Sequence, residues 1–335
     1  MKVWEVQGGF GLASLKPAER PTPRPGPGEV LIRMRAASLN YRDLLMVTGK
    51  YNPRQPLPLI PLSDGVGEVV ERGERAERFS VGDRVAGIFA QGWLAGRPTK
   101  ERLASTLGGP LPGVLCECRL FPEEGLVHLP AHLSDEEAAC LVCTGVTAWS
   151  AFRHGPLLPG DTVLVQGTGG LSLFALQFAK QRGARVIVTS SSDDKLERVR
   201  ALGADETINY RSEPEWGKRA RVLTGGLGVD HVIEVGGAGT LAQSLRAVRP
   251  GGHISIIGAL SGSDAQTSLL PILMQQVRVQ GIFVGHRDSF EEMNRAVTQH
   301  GLRPVVDRVF PFSQCKEALE YLSTGSHVGK ICLRA

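Results

Sequence analysis

The stretch Val163-Leu164-Val165-Gln166-Gly167-Thr168-Gly169-Gly170-Leu171-Ser172 decides the fold. A short apolar run ends in a glycine turn, and a helix-forming segment, Ser172 to Arg182, follows. A turn of this kind between strand and helix aims bare backbone N–H groups and a helix N-terminus at one spot, which suits a phosphate. Gly167 permits the turn and Gly169 lets a pyrophosphate approach the backbone. Ser172 stands where a third glycine is usual and is still small enough for close helix–strand packing. Thr168, Gly170 and Leu171 complete the candidate loop.

Outward from the loop the pattern is strand–helix–strand: a strand over 163–166, a helix over 172–182, a strand over 185–189 and a helix over 194–202. Further strands are expected at 229–235, 253–258 and 278–284. Strands alternating with helices predict a parallel, doubly wound sheet of the dinucleotide-binding kind.

The end of the second strand discriminates between coenzymes. NAD-binding sheets place an acid there, about twenty residues past the glycines, to hold the ribose hydroxyls. This chain has Ser190 within Thr189-Ser190-Ser191-Ser192, so no carboxylate repels a 2′-phosphate. Ser192, Lys195 and Tyr210 are candidate partners for that phosphate, although Asp193 and Asp194 add negative charge nearby. The expected cofactor is therefore NADP(H).

Before residue 134 the sequence changes character. Short alternating runs at 30–34, 65–70 and 84–88, punctuated by glycine and proline, predict an all-β, barrel-like half. Ser134-Asp135-Glu136-Glu137 reads as a capping box opening a helix that runs to about Phe152. After Gly285, helices over 289–300 and 313–322 alternate with strands at 308–310 and 330–333.

At 335 residues the chain predicts two domains. Its net charge of +4 is spread without a basic run, which argues against nucleic acid and fits a small anionic ligand. No apolar stretch is long enough to cross a bilayer. The N-terminus lacks a signal-peptide core, and six cysteines in a chain of this length make no disulfide framework, so a reducing cytoplasm is expected.

Pro27-Gly28-Glu29-Val30, Gly82-Asp83-Arg84-Val85, the glycine loop and the closing Gly329-Lys330 together resemble the medium-chain dehydrogenase/reductase superfamily, specifically its zinc-independent, quinone-oxidoreductase-like branch. The resemblance implies an α/β chain of two domains. A GroES-like catalytic domain over 1–141 is completed by 286–335, and a Rossmann NADP-binding domain spans 142–285. It implies homo-oligomers, dimers or tetramers, with sheets joined near Ile282-Phe283-Val284. Thr147, Gly258, Phe283, Val284 and Lys330 join the candidate coenzyme residues on the same ground.

Zinc-dependent members of that superfamily hold a catalytic metal with a Cys, a His-Glu pair and a second Cys. The matching positions here are Asn40, Ser63-Asp64 and Cys140, and Arg42 replaces the proton-relaying hydroxyl residue. Three protein ligands are required, so no catalytic metal is expected. Cys116, Cys118, Cys140 and Cys143 read as buried structural thiols. The segment 91–115, where relatives carry a structural zinc lobe, has no cysteine.

Asn40 and Asp43 also read as the start of a helix, and capping is compatible with a role in catalysis. Tyr41 and Tyr51 are candidate proton donors or stacking rings. His154, His231 and His253 show no ligand spacing and read as structural. The expected reaction is hydride transfer from NADPH to a small electrophilic acceptor, a quinone or an α,β-unsaturated carbonyl. An alcohol or aldehyde dehydrogenase is the alternative enzyme, and an NADPH-binding regulatory protein the alternative outside enzymes.

Overall fold

The computed structural model describes residues 1–264 and 266–335. The chain divides into two compact units, one of Met1–Val146 with Val284–Ala335 and the other of Thr147–Phe283.

The second unit is built on six parallel strands in the order Glu206–Asn209, Arg185–Ser190, Thr162–Gln166, Val229–Glu234, Val248–Ile256, Arg278–Gly281. The chain winds outward from Thr162–Gln166 through Arg185–Ser190 to Glu206–Asn209, then crosses back to Val229–Glu234 on the other side of the starting strand. Strand order reverses between Gln166 and Glu234, the place where doubly wound sheets bind ligands. The strands are apolar on both faces because helices cover both: Val163, Leu164, Val165, Val232 and Ile233 are all fully buried. The expected strands at 253–258 and 278–284 are found at Val248–Ile256 and Arg278–Gly281.

The first unit carries a seven-stranded, mostly antiparallel sheet. Its centre is the ten-residue strand Glu29–Ser38, which pairs with Asp64–Arg72, Cys118–Pro122 and Lys330–Arg334. Asp64–Arg72 continues through Arg84–Gly87 to Leu126–His128, and Val306–Pro311 lies beyond Lys330–Arg334. The register sets Ser38 opposite both Asp64 and Cys332. Residues that immediately precede or follow these strand ends are therefore drawn to one corner.

The single helix expected from Ser134 to Phe152 is interrupted. Asp135–Ala139 begins with the predicted box, in which Ser134 Oγ accepts the Glu137 N–H and Glu137 Oε2 accepts the Ser134 N–H. A π-helical turn, Leu141–Gly145, follows before the α-helix Val146–His154. A π turn frees an N–H from the ordinary ladder, and such turns concentrate at functional sites.

His231 and His253 are buried in the second unit. Their rings meet edge to face with centroids 4.7 Å apart, and His231 Nε2 lies 2.8 Å from Ser255 Oγ. Burial, with His253 beside it, pushes His231 down to about 3. The unfolded chain protonates this ring near its ordinary value of 6.5, so the contribution of a neutral His231 is intact above that pH and is lost as pH falls toward 3. The full effect is roughly 5 kcal/mol. The difference in unfolding free energy between wild type and His231→Gln should therefore shift against the wild type between pH 6.5 and 4, as read by urea titration.

Candidate active site

In the first unit the strand ends assemble a buried polar cluster. Asn40 follows Glu29–Ser38, Ser63 precedes Asp64–Arg72, and Lys330 opens Lys330–Arg334. Lys330 Nζ donates to Asn40 Oδ1 at 2.7 Å and to Leu39 O at 2.5 Å, and Lys330 is only 3% exposed. Asn40 Nδ2 donates to Ser63 Oγ at 3.3 Å, and Ser63 Oγ donates to Asp64 Oδ1 at 2.7 Å. The N–H of Cys143, within the π turn, donates to Asp64 Oδ2 at 3.3 Å.

Asn40 precedes the helix Tyr41–Val47, and Asp43 Oδ2 accepts its N–H at 2.8 Å, closing the capping turn anticipated from Asn-x-x-Asp. Burial, with the Asp64 carboxylate nearby, pushes Asp43 up to about 7. Asp43 Oδ1 has no hydrogen-bond partner among the described residues. Asp64 is also raised by burial, opposed by the Lys330 ammonium and by the bonds from Ser63 and Asn40. Burial and the same carboxylates push the Cys143 thiol far up.

Arg42 donates from Nη1 to Leu107 O at 3.1 Å and from Nη2 to Thr106 Oγ1 at 3.2 Å and to Gly109 O. Its guanidinium carbon lies 4.9 Å from the Tyr51 ring centre and 5.1 Å from that of Phe89. Tyr41 and Tyr51 are both nearly half exposed.

The structure thus gathers Asn40, Asp43, Ser63, Asp64 and Lys330 and leaves Tyr41 and Tyr51 on the surface. Lys330, expected at the coenzyme, has its ammonium inside this cluster. Cys143, not Cys140, is the cysteine beside Asp64. Cys140 points its thiol at Glu136 O and lies 3.5 Å from Cys332 Sγ. The π turn explains the displacement, because it re-phases the helix between the two cysteines.

The second unit holds the glycine loop. Gly167 has a φ of +75° and Gly169 precedes the helix Gly170–Gln181. A Cβ built on Gly169 meets no heavy atom of the described residues within 4 Å, so the space in front of the loop is open to a phosphate. Ser172 turns its hydroxyl inward onto Gln166 O at 2.6 Å, leaving the helix N-terminus clear. Thr168 is buried, and Leu171 begins the first turn of the helix.

Ser190 ends its strand 5% exposed, and its Oγ accepts the Ser192 N–H at 3.4 Å. Ser192 Oγ accepts the Lys195 N–H, and the Tyr210 N–H donates to Ser190 O at 3.0 Å. Ser190, Ser192, Lys195 and Tyr210 therefore lie together. Asp193 is engaged by Asn209 Nδ2 at 2.8 Å. Thr147 and Val284 are buried, and Phe283 is partly exposed. Gly258 donates its N–H to Glu234 O at 3.4 Å, and a Cβ there would meet Val235 O at 2.6 Å.

Sequence reasoning missed Gln166 and Glu234. Across the point where strand order reverses, Gln166 Nε2 donates to Glu234 Oε2 at 2.7 Å, and Gln166 Oε1 accepts the N–H groups of Val235 and Gly236. Glu234 Oε1 accepts the N–H groups of Gly236 and Gly237 and the Thr240 hydroxyl. This network fixes the loop after the fourth strand of the unit. The only available signal was a polar residue at the end of each of two apolar strands.

Two family models match: the alcohol dehydrogenase GroES-like domain over residues 26–131 and the zinc-binding dehydrogenase over 170–299. The zinc-type alcohol dehydrogenase-like protein C1773.06c of Schizosaccharomyces pombe is 44% identical, covering 97% of this chain and 96% of that protein. The chain belongs to the medium-chain dehydrogenase/reductase superfamily. A putative alcohol dehydrogenase of Sinorhizobium meliloti 1021 superposes with a TM-score of 0.93 at 45% identity, covering 100% and 98% of the two chains. An acryloyl-coenzyme A reductase of Metallosphaera sedula is 31% identical over 93% of each chain.

As a member of this superfamily, the protein is an oxidoreductase using a nicotinamide coenzyme. Structural relatives include an NAD-dependent alcohol dehydrogenase (TM-score 0.92, 35% identity, complete coverage of both chains). Another is the mycobacterial protein Rv1454c complexed with NADPH (TM-score 0.83, 28% identity, complete coverage of both chains). No described helix is long and apolar enough to cross a membrane.

The superfamily also implies zinc, and the donor set does not fit it. An amide and a hydroxyl stand at two of the positions where the resemblance expects ligands, and Asn40 Oδ1 already accepts from the Lys330 ammonium. Asp64 and Cys143 are one donor short of a catalytic site. Among the described residues no group of three His, Cys, Asp or Glu side chains is placed to hold a metal.

Asp43 provides a pH signature of this cluster. Its native carboxyl titrates near 7 and its unfolded one near 3.8, so its contribution is complete below 3.8 and is lost as pH rises through 7. Asp43→Asn keeps an oxygen for the Asn40 N–H and removes the titration. Its unfolding free energy should gain on the wild type by a few kcal/mol between pH 4 and 8. A constant difference across that range would reject the assignment.

Proposed function

We propose that this chain is an NADPH-preferring, zinc-independent oxidoreductase that delivers a hydride to quinones or α,β-unsaturated carbonyls. The observation that carries the reading is the donor set of the polar cluster, where Asn40 and Ser63 occupy metal-ligand positions and Lys330 supplies the fixed positive charge. Removing hydride from a plain alcohol calls for a group that stabilises the alkoxide, commonly a Lewis acid. A conjugated acceptor spreads the developing charge over its own π system and needs mainly alignment and a few hydrogen bonds.

The nicotinamide coenzyme, when bound, supplies the hydride. Gly167 to Leu171 and the helix behind them would hold its pyrophosphate, and Ser190, Ser192, Lys195 and Tyr210 would take the 2′-phosphate. Thr147, Gly258, Phe283 and Val284 remain candidates for the nicotinamide end.

Asn40 contributes through its amide. Its Nδ2 donates to Ser63 and also serves the Asp64 carboxylate, so an acceptor oxygen entering the cluster would compete with Asp64 for one of its two hydrogens. Lys330 fixes the amide's orientation through Oδ1, so the donor is set before substrate arrives. Lys330 and Arg42 bring two cations near Asp43 and Asp64, and Asp43 is only part ionised at neutral pH. The resulting field favours negative charge on the acceptor oxygen. The proton that completes the reduction comes from the Tyr41 or Tyr51 phenol or from water.

The alcohol dehydrogenase reading is favoured by the names of the S. pombe and S. meliloti relatives, whereas the acryloyl-coenzyme A reductase reduces a conjugated thioester by name. Turnover of a quinone, an enal and a saturated aldehyde, each with and without a strong chelator, separates the two. Chelator-insensitive reduction of the quinone or enal is expected, and aldehyde turnover abolished by chelator would overturn the reading. Binding of NADPH without turnover on any acceptor would favour a regulatory role.

The coenzyme preference has its own test. Ser190→Asp should lower kcat/KM for NADPH about tenfold or more and raise that for NADH, because a carboxylate would face the 2′-phosphate.

A homodimer is part of the same proposal. The edge strand Arg278–Gly281 is exposed along its whole length, and Leu269, Leu270, Leu273 and Met274 nearby are each more than 60% exposed. An open edge beside an apolar surface suits pairing with a second copy. A junction along this edge would lie just before the 282–284 segment expected from the resemblance.

A further inference from the structure

Tyr51 follows the helix Tyr41–Val47, and its N–H returns to Leu45 O at 3.1 Å. One face of its ring is backed by the Arg42 guanidinium at 4.9 Å, and the residue is 47% exposed, so solvent reaches the ring elsewhere. Arg42 is held by Leu107 O, Thr106 Oγ1 and Gly109 O, and the buried Phe89 ring lies 5.1 Å from the same guanidinium. Three bonds and two rings fix a side chain that would otherwise be among the most mobile. This anchoring goes beyond what a surface tyrosine needs.

We propose that Arg42 is a positioning residue for the acceptor, holding the Tyr51 ring as a plate on which a planar conjugated acceptor stacks. The inference rests on the reading of the acceptor as a quinone or enone. It explains why an arginine stands where alcohol-oxidising members of the superfamily carry a small hydroxyl. A serine or threonine can relay a proton but cannot back an aromatic ring, whereas the planar guanidinium does so by cation–π attraction. The cation behind the ring also favours an acceptor on which negative charge grows, so the plate acts more strongly on the reacting acceptor than on the resting one. A saturated aldehyde has no extended π face and gains little from the plate.

The test measures binding of 1,4-naphthoquinone to the full chain by quenching of intrinsic fluorescence, which requires no turnover. Tyr51→Ala should weaken binding about tenfold, and Tyr51→Phe should leave it unchanged. Arg42→Gln should weaken it to a similar extent, and the double variant should be no worse than either single one, because both remove the same plate. Wild-type affinity in Tyr51→Ala, or effects of the two substitutions that add, would overturn the proposal.

A merely structural Arg42 would lower the melting temperature and leave naphthoquinone binding intact. Should Arg42→Gln fail to fold, Arg42→Lys keeps the charge and loses the planar fork, and Tyr51→Ala decides the plate on its own. Failure of the broader reading looks different. Turnover would then be confined to a chelator-sensitive saturated aldehyde while the pattern of quinone binding persisted.

Discussion

The strand Glu29–Ser38 has to satisfy backbone partners from three distant parts of the chain, and the polar cluster depends on that pairing. Ladder hydrogen bonds set Asp64 and Cys332 both opposite Ser38. Once the register is fixed, Asn40, Ser63 and Lys330 have little freedom over where their side chains meet. A slip by one residue would turn alternate side chains to the other face and separate Lys330 from Asn40. Most of the stability behind this precision comes from apolar neighbours such as Val30, Ile32, Met34 and Ala37, which are buried on the same strand.

A second constraint acts in the other unit. Glu234 sits fully buried at a strand end, where an uncompensated carboxylate would be costly. Two backbone N–H groups, two hydroxyls and the Gln166 amide surround it. Gln166 serves the glycine loop as well, since its backbone carbonyl receives the Ser172 hydroxyl. One glutamine therefore ties the loop at the end of one strand to the loop at the end of its neighbour.

Local signals carried most of the fold. The glycine turn announces itself because only a few residue types tolerate its geometry, and the strands of the second unit read as apolar runs bounded by glycines. The capping box at Ser134 and the Asn-x-x-Asp turn at Asn40 were legible for the same reason: each is built by residues three apart. The π turn was not legible, since Leu141 to Gly145 reads as ordinary helix and the bulge answers to Asp64, far away in sequence. That is why the sequence points to Cys140 as the neighbour of Asp64, whereas the structure sets Cys143 there. The place of Lys330 was hidden too, because its partners lie nearly the whole chain away.

The interleaved connectivity of the first unit also has a consequence for how the chain is made. The parallel sheet of the second unit is encoded in one uninterrupted stretch, 147–283, so it can collapse as soon as that stretch has left the ribosome. Ser38 meets its partner Cys332 only after roughly three hundred further residues have been synthesised. Until then the Ala36–Ser38 end of the central strand lacks its partner on one edge, and the apolar core that Cys315, Leu319, Leu322 and Ile331 complete stays open. In a growing polypeptide, this half of the molecule is where chaperones would find their longest-lived client surface.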